Sequence, residues 1–242
     1  MKALSLACAF LTRLPVRTGE LRPEQFGSAA ACFPLIGLGL GMGNLAIASL
    51  SIEAIGPALS ACLIVAFGAL VTGGLHLDGL ADWFDAIGGG RGDPSRMLEI
   101  MRDSRIGAHG ASALGLLLTT KIIALSELRA SALHMGLVCA PTCSRAVAVW
   151  LLFAFPSARK DGLGQTFSEQ VVLRHALIAS AIALLVSLLF GPAVLVPIGL
   201  SAATGFLIAG WAKARIGGIS GDVCGAAIEL AELAFLIGAR AL

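Results

Sequence analysis

The chain has 242 residues, 57% of them hydrophobic and only 13% charged, with a formal net charge of +2. Soluble domains carry about 25% charged residues, so a soluble globular protein is excluded. A charge so near balance also leaves no basic surface for nucleic acid.

The composition predicts an all-α, polytopic integral membrane bundle forming a single domain over residues 1–242. Its start, M-K-A-L-S-L-A-C-A-F-L-T-R-L-P, has one lysine and a short apolar stretch, but no small-residue cleavage site follows. Residues 2–14 therefore read as an uncleaved amphipathic segment at the inner surface, inside a cytoplasmic or interfacial segment 1–28. Apolar stretches of roughly 20 residues, the length that crosses a bilayer, fall at 31–50, 55–76, 107–125, 132–155, 176–190, 194–212 and 223–240. The expected count is about seven transmembrane helices. The fifth is short, and the last carries Glu229 and Glu232. An acid at a helix centre in lipid costs on the order of 2.5–3.5 kcal/mol, so both glutamates must face protein or water. Lys121 and Arg145, also within spans, are their candidate partners.

With the N-terminus inside, thirteen of the seventeen Lys and Arg residues fall on one side of the membrane. The positive-inside rule makes that side cytoplasmic. It gathers segments 1–28, 77–106, 156–175 and 213–222 at one face, with the polar loops toward the cytoplasm. The six cysteines lack C-x-x-C spacing and read as small buried hydrophobes. Glycines at 37, 39, 41 and 43, and at 217, 221 and 225, have the small-x-x-x-small spacing of close helix contacts in lipid.

The most informative stretch is T-G-G-L-H-L-D-G-L-A-D-W-F-D-A-I-G-G-G, residues 72–90. On a helix, Asp78, Asp82 and Asp85 fall at about 0°, 40° and −20°, one narrow stripe. Three carboxylates so close repel one another unless a cation sits among them, and hard ions such as Mg²⁺ or Mn²⁺ suit all-oxygen ligands. The alternative, a solvated acidic face, is weakened by the glycine and large apolar flanks, Trp83 and Phe84 among them. The 77–106 loop continues through Asp93-Pro94-Ser95, a helix start with Asp93 as cap, to Arg102, Asp103, Arg105 and His109. Its arginines are topology markers or phosphate ligands, because guanidinium forks match phosphate oxygens in pairs. A later loop holds Arg159, Lys160 and Asp161. The last cytoplasmic segment, R-I-G-G-I-S-G-D, brings Gly217, Gly218 and Gly221 before Asp222, freeing backbone to approach a ligand at a helix start.

Six motifs in this order, F-L-T-R-L-P (10–15), F-P-L-I-G (33–37), G-G-L-H-L-D-G-L-A-D-x-x-D (73–85), M-R-D-S-R-I-G-A-H-G (101–110), A-R-K-D-G-L-G (158–164) and G-G-x-S-G-D-x-x-G-A (217–226), resemble the bacterial cobalamin synthase family. The departures are Trp83, Phe84 and Ala86. The resemblance implies an Mg²⁺-dependent phosphotransferase that joins α-ribazole or its 5′-phosphate to adenosylcobinamide-GDP and releases GMP, the adenosylcobinamide-GDP ribazoletransferase step of vitamin B12 assembly. It implies Asp78, Asp82, Asp85 and Asp222 as Mg²⁺ ligands, with Asp82 and Asp222 catalytic and Asp222 either a further ligand or the base. Arg102, Asp103, Arg105, Arg159, Lys160, Asp161 and Arg215 are its candidate substrate and phosphate contacts, and His76 either touches substrate or caps the span end. Membrane lipids are the expected surroundings, and assembly of several copies is left open.

Two other classes compete. A CDP-alcohol phosphotransferase also begins an acidic motif with D-G at a membrane edge, but it wants Ala and Arg where this chain has Asp82 and Trp83, and its later aspartates are absent. A transporter would use Lys121, Arg145 and Glu229 as a path, but it leaves the gathering of acids at one face unexplained.

Overall fold

In the computed structural model, which describes residues 2–242, the chain opens with helices α1 (Lys2–Leu11) and α2 (Glu24–Ala31) and continues into α3 (Phe33–Thr72). The 40 residues of α3 would extend about 60 Å if straight. They fold back instead. Gly56, with φ 81° and ψ 165°, breaks the helix immediately before Pro57; this backbone region is essentially reserved for glycine, and proline supplies no N–H to bridge the break. The two arms then pass each other: the hydroxyls of Ser51 and Ser60 lie 2.7 Å apart, and Gly43 meets the ring of Phe67. Within the described residues everything else is helical apart from loops: α4 (Leu75–Gly89), α5 (Pro94–Ile100), α6 (Ala108–Ser126), α7 (Ala130–Ala154), α8 (Leu163–Gln170), α9 (Leu173–Leu188), a 3₁₀ turn at Pro192–Val194, α10 (Leu195–Ile216) and α11 (Gly221–Arg240). The all-α expectation therefore holds, and a lone bridge between Ser157 and Ile219 is the nearest approach to sheet.

Seven spans are not established. Among the described residues four segments are long and apolar enough to cross a membrane, Glu24–Thr72, Ala108–Ser126, Ala130–Ala154 and Pro192–Ile216. A fifth is added if α8 and α9, bent by 94° at their junction, form one broken span. The prediction placed separate spans at 31–50 and 55–76, and the break at Gly56 falls close to that division; α11, predicted as the last span, carries Asp222, Glu229 and Glu232.

Helix α7 is the centre of the bundle, buried almost throughout from Met135 to Leu152. Part of the expected glycine stripe serves it: Gly37 and Gly41 lie against its backbone at Pro141 and Val138, while Gly39 touches nothing. Helices α4 and α11 cross just as closely. A Cβ on Gly79 would stand 2.8 Å from the Asp222 carbonyl oxygen, and one on Gly225 would stand 3.1 Å from the Cα of His76. Glycine at both positions lets the two acid-bearing helices touch. Trp83, fully buried, fixes the other side of α4 by an edge-to-face contact with Trp211 of α10, 5.7 Å between ring centres.

Candidate active site

Three loops far apart in sequence meet at one end of the bundle. Ala158 N–H donates to Ile219 C=O at 2.8 Å and Ile219 N–H to Pro156 C=O at 2.9 Å. Gly218 sits so close to Pro156–Ala158 that a side chain there would collide with backbone, and Gly217 ends α10 with φ 80°. Gly218 therefore serves chain packing and Gly217 the helix end, rather than ligand approach. Gly221 has open space beside it and, of the three, is the one that lines a cavity.

That cavity measures about 250 Å³ and is walled by Asp78, Arg159, Gly221 and Asp222 together with His76 and several apolar side chains. The cap of α11 is Ser220, whose Oγ accepts from Val223 N–H at 3.2 Å. Asp222, one position inside the helix start, is thus released from capping. Its Oδ2 accepts from Arg159 Nη2 at 2.9 Å and from Ser220 Oγ at 3.3 Å. Arg159 also donates to Met101 C=O at 3.3 Å, while its Nε is buried without a hydrogen-bond partner among the described residues. That spare donor points to an oxyanion ligand.

The stripe predicted on α4 divides by surroundings. Asp78 is exposed and lines the cavity. Asp82 is half-buried behind it; burial pushes its carboxyl up to about 7, the negative charges of Asp78, Asp222 and Asp85 push the same way, and only Arg159 opposes them. Asp85 is buried, and its two oxygens accept from the N–H groups of Gly107 (2.7 Å) and Gly110 (2.8 Å) at the start of α6. It ties α4 to the positive end of another helix, which sets it apart from the two aspartates nearer the cavity.

The chemistry of this donor set fits a hard divalent ion: Asp78, Asp82 and Asp222 offer only carboxylate oxygens, and a single arginine offsets their charge. Among the described residues no three His, Cys, Asp or Glu side chains are gathered tightly enough to enclose an ion by themselves. Mg²⁺ commonly keeps only one or two carboxylates and takes its other oxygens from substrate phosphate and water, so an open set of this kind suits it.

The remaining predicted contacts spread around the rim. Arg102 pairs with Asp161 at 3.1 Å in the open, which brings the second and third loops together. Asp161 lines the cavity, and Lys160 faces a separate shallow pocket beside it. Arg105 holds Asp103 down to about 2 through a short exposed pair of 2.6 Å, so each is the other's partner. Arg215 is exposed, with its guanidinium close to Gly92.

His76 stands between the cavity and a buried charge cluster. Lys121 Nζ donates to Glu229 at 2.6 Å and to Glu232 at 3.0 Å, and Arg145 closes the set on Glu232. The two glutamates thus meet the two cations foreseen for them, and charge neutralisation inside the bundle accounts for all four without a transport path. Arg145 Nη2 lies 3.4 Å from His76 Nδ1, and the nearest Glu229 oxygen is 4.0 Å away, beyond hydrogen-bond reach. A guanidinium only donates, so Nδ1 is the acceptor and the ring proton sits on Nε2. That Nε2 is buried and has no hydrogen-bond partner among the described residues.

Helix α1 joins the site as well, although it carries none of the predicted site residues. Phe10 and Leu11 line the cavity, with Phe33 of α3 and Phe167 of α8 beside them; the signals in the sequence were the amphipathic character of residues 2–14 and the motifs that begin at Phe10 and Phe33.

Comparison with known proteins accords with this arrangement. The family model described as cobalamin-5-phosphate synthase matches residues 3–240. An adenosylcobinamide-GDP ribazoletransferase of Stutzerimonas stutzeri is 40% identical over 240 residues, covering 98% of this chain and 97% of the relative. Proteins of the same name from Klebsiella pneumoniae and Pseudomonas aeruginosa are 40% and 38% identical, each over 98% of this chain. No solved structure matches. The chain belongs to the cobalamin-5-phosphate synthase family.

Proposed function

We propose that this chain joins α-ribazole or its 5′-phosphate to adenosylcobinamide-GDP with release of GMP, acting in a bacterial inner membrane with its site open to the cytoplasm. The observation that carries this reading is one cavity shared by Asp78 of α4, Arg159 of the loop between α7 and α8, and Asp222 of α11, in a chain matched by its family over 3–240.

In the reaction a ribose hydroxyl oxygen bonds to the cobinamide-side phosphorus of the diphosphate. The bridging P–O bond breaks, and GMP leaves with the electron pair. Arg159, already placed by its bonds to Asp222 and Met101, turns its free Nε–H to a phosphate oxygen. That exchange loosens Asp222, whose carboxylate then takes the hydroxyl proton. His76 contributes Nε2–H at the cavity wall as a fixed donor to a substrate oxygen. Asp78 and Asp82 would hold Mg²⁺, which when bound neutralises the charge growing on the diphosphate oxygens. Asp85 acts through backbone, holding the α4 stripe in register against α6.

Purified protein in nanodiscs, supplied with Mg²⁺, adenosylcobinamide-GDP and α-ribazole, should release GMP and form the joined corrinoid in equal amounts, read by liquid chromatography with mass detection. Absence of both products, with either corrinoid or nucleoside carried across vesicles instead, would overturn the reading in favour of a transporter.

A further inference from the structure

We propose that the apolar part of the cavity, built by Phe10, Phe33 and Phe167, seats the flat heterocyclic base of the nucleoside acceptor; this rests on the function proposed above. The cavity wall has two chemistries. Asp78, Arg159 and Asp222 supply the charged part, and Phe10, Leu11, Phe33, Leu152, Phe167 and Ile228 supply an apolar part. A substrate that fills both must itself be polar at one end and flat and apolar at the other, as a ribose carrying an aromatic base is.

Size selects between the two substrates. Pockets for drug-sized ligands run from about 300 to 1,000 Å³, so a space of about 250 Å³ takes a small nucleoside and excludes a corrinoid ring with its side chains. The corrinoid must then approach from outside, presenting only its diphosphate to Arg159 and the carboxylates.

The three rings come from three different parts of the chain, α1, α3 and α8, and still converge. Phe10 and Phe167 stand 4.6 Å apart between ring centres, Phe33 and Phe167 5.4 Å, and Phe10 and Phe33 5.9 Å at an interplanar angle of 13°. Phe26 of α2 backs Phe167 edge-on at 4.9 Å. Phe33 and Phe167 are nearly fully buried, so their orientation is fixed by packing, while Phe10 is half-buried and presents its ring at the cavity wall. Such rings favour offset or edge-to-face contact with another aromatic system. Helix α1 thereby becomes a wall of the acceptor site. Phe10 and Phe33 each open one of the six sequence motifs, and the phosphoryl chemistry gives neither a role.

The test is a split between the two substrates in the full-length protein. Phe10→Leu removes the ring at a half-buried position and should raise KM for α-ribazole tenfold or more, leaving KM for adenosylcobinamide-GDP within about twofold. Phe10→Trp, which keeps an aromatic face, should restore the acceptor KM. Calorimetric affinity for α-ribazole alone, measured without corrinoid, should fall in parallel in Phe10→Leu. Phe167→Leu provides a second reading where its melting temperature matches the parent. Unchanged acceptor KM and affinity in Phe10→Leu, or a rise confined to the corrinoid, would overturn the assignment while leaving the proposed reaction standing. A parent protein that turns over no acceptor at all would remove both.

Discussion

Helix α11 carries acidic side chains of two kinds, one set at its start and one about two turns further on, and their partners separate them. Glu229 and Glu232 sit in the bundle with Lys121 and Arg145, two anions against two cations. Asp222, two turns earlier, faces a cavity together with Asp78 and has Arg159 as its ion partner, while Asp82 behind them carries the repulsion. Balanced charge in the interior is consistent with architecture, because every charge there is paired with an opposite charge of the protein. An unbalanced acidic set at a cavity needs positive charge from outside, and a substrate with its metal can bring it.

The strongest way to break this contrast is to unbalance the interior. Lys121→Met leaves two buried glutamates facing one arginine, and breaking a buried pair costs about 3–5 kcal/mol. The protein should lose most of its thermal stability in detergent or fail to accumulate. Adding Glu229→Gln to Lys121→Met should recover much of the loss, since it restores the balance. An unaltered melting temperature in the single variant would show that the cluster carries no structural role.

Removing charge at the cavity should do the opposite. Asp222→Asn is expected to lower turnover by about 10²–10³, or 2.7–4 kcal/mol in the barrier, with the melting temperature nearly unchanged because Ser220 caps the helix. Asp85→Asn falls between the two classes. It replaces one of two oxygens that accept from Gly107 and Gly110, so stability should fall by about 1–3 kcal/mol, with turnover following stability and no change in metal dependence.

A further effect is a slope in pH. The folded carboxyl of Asp82 titrates at about 7, above its ordinary 3.8. The folded state therefore resists ionisation that the unfolded chain accepts, so without divalent cation stability falls as pH rises between those values and levels off above the upper one. Asp82→Asn should abolish that contribution, and Mg²⁺ should reverse its sign in the parent. Melting curves at several pH values measure both.

The acid-bearing helix, the Asp93 cap on α5 and the partners of Glu229 and Glu232 were all legible in the sequence, because spacing alone decides which residues share a helix face and which buried charges need an opposite. Spacing does not say what that face meets. The edge of α4 at Asp85 meets the amide groups of α6, and its other edge meets α11, so a stripe that looks uniform serves two purposes. The fold-back of α3 had a local signal in Gly56-Pro57, but hydropathy fixes the length of an apolar run rather than its direction. Phe10 and Phe33 each open a motif, but nothing local says that they meet Phe167: the three are joined only by tertiary packing.

The most direct test of the central claim, that the unbalanced carboxylates are the phosphoryl-transfer site, is GMP release by Asp82→Asn across a range of Mg²⁺ concentrations. The substitution keeps size and removes the charge that Asp82 contributes beside Asp78. The account predicts a properly folded protein whose turnover is lower by at least about 10², with a higher Mg²⁺ requirement for what remains. Near-parental turnover at low Mg²⁺ would contradict it.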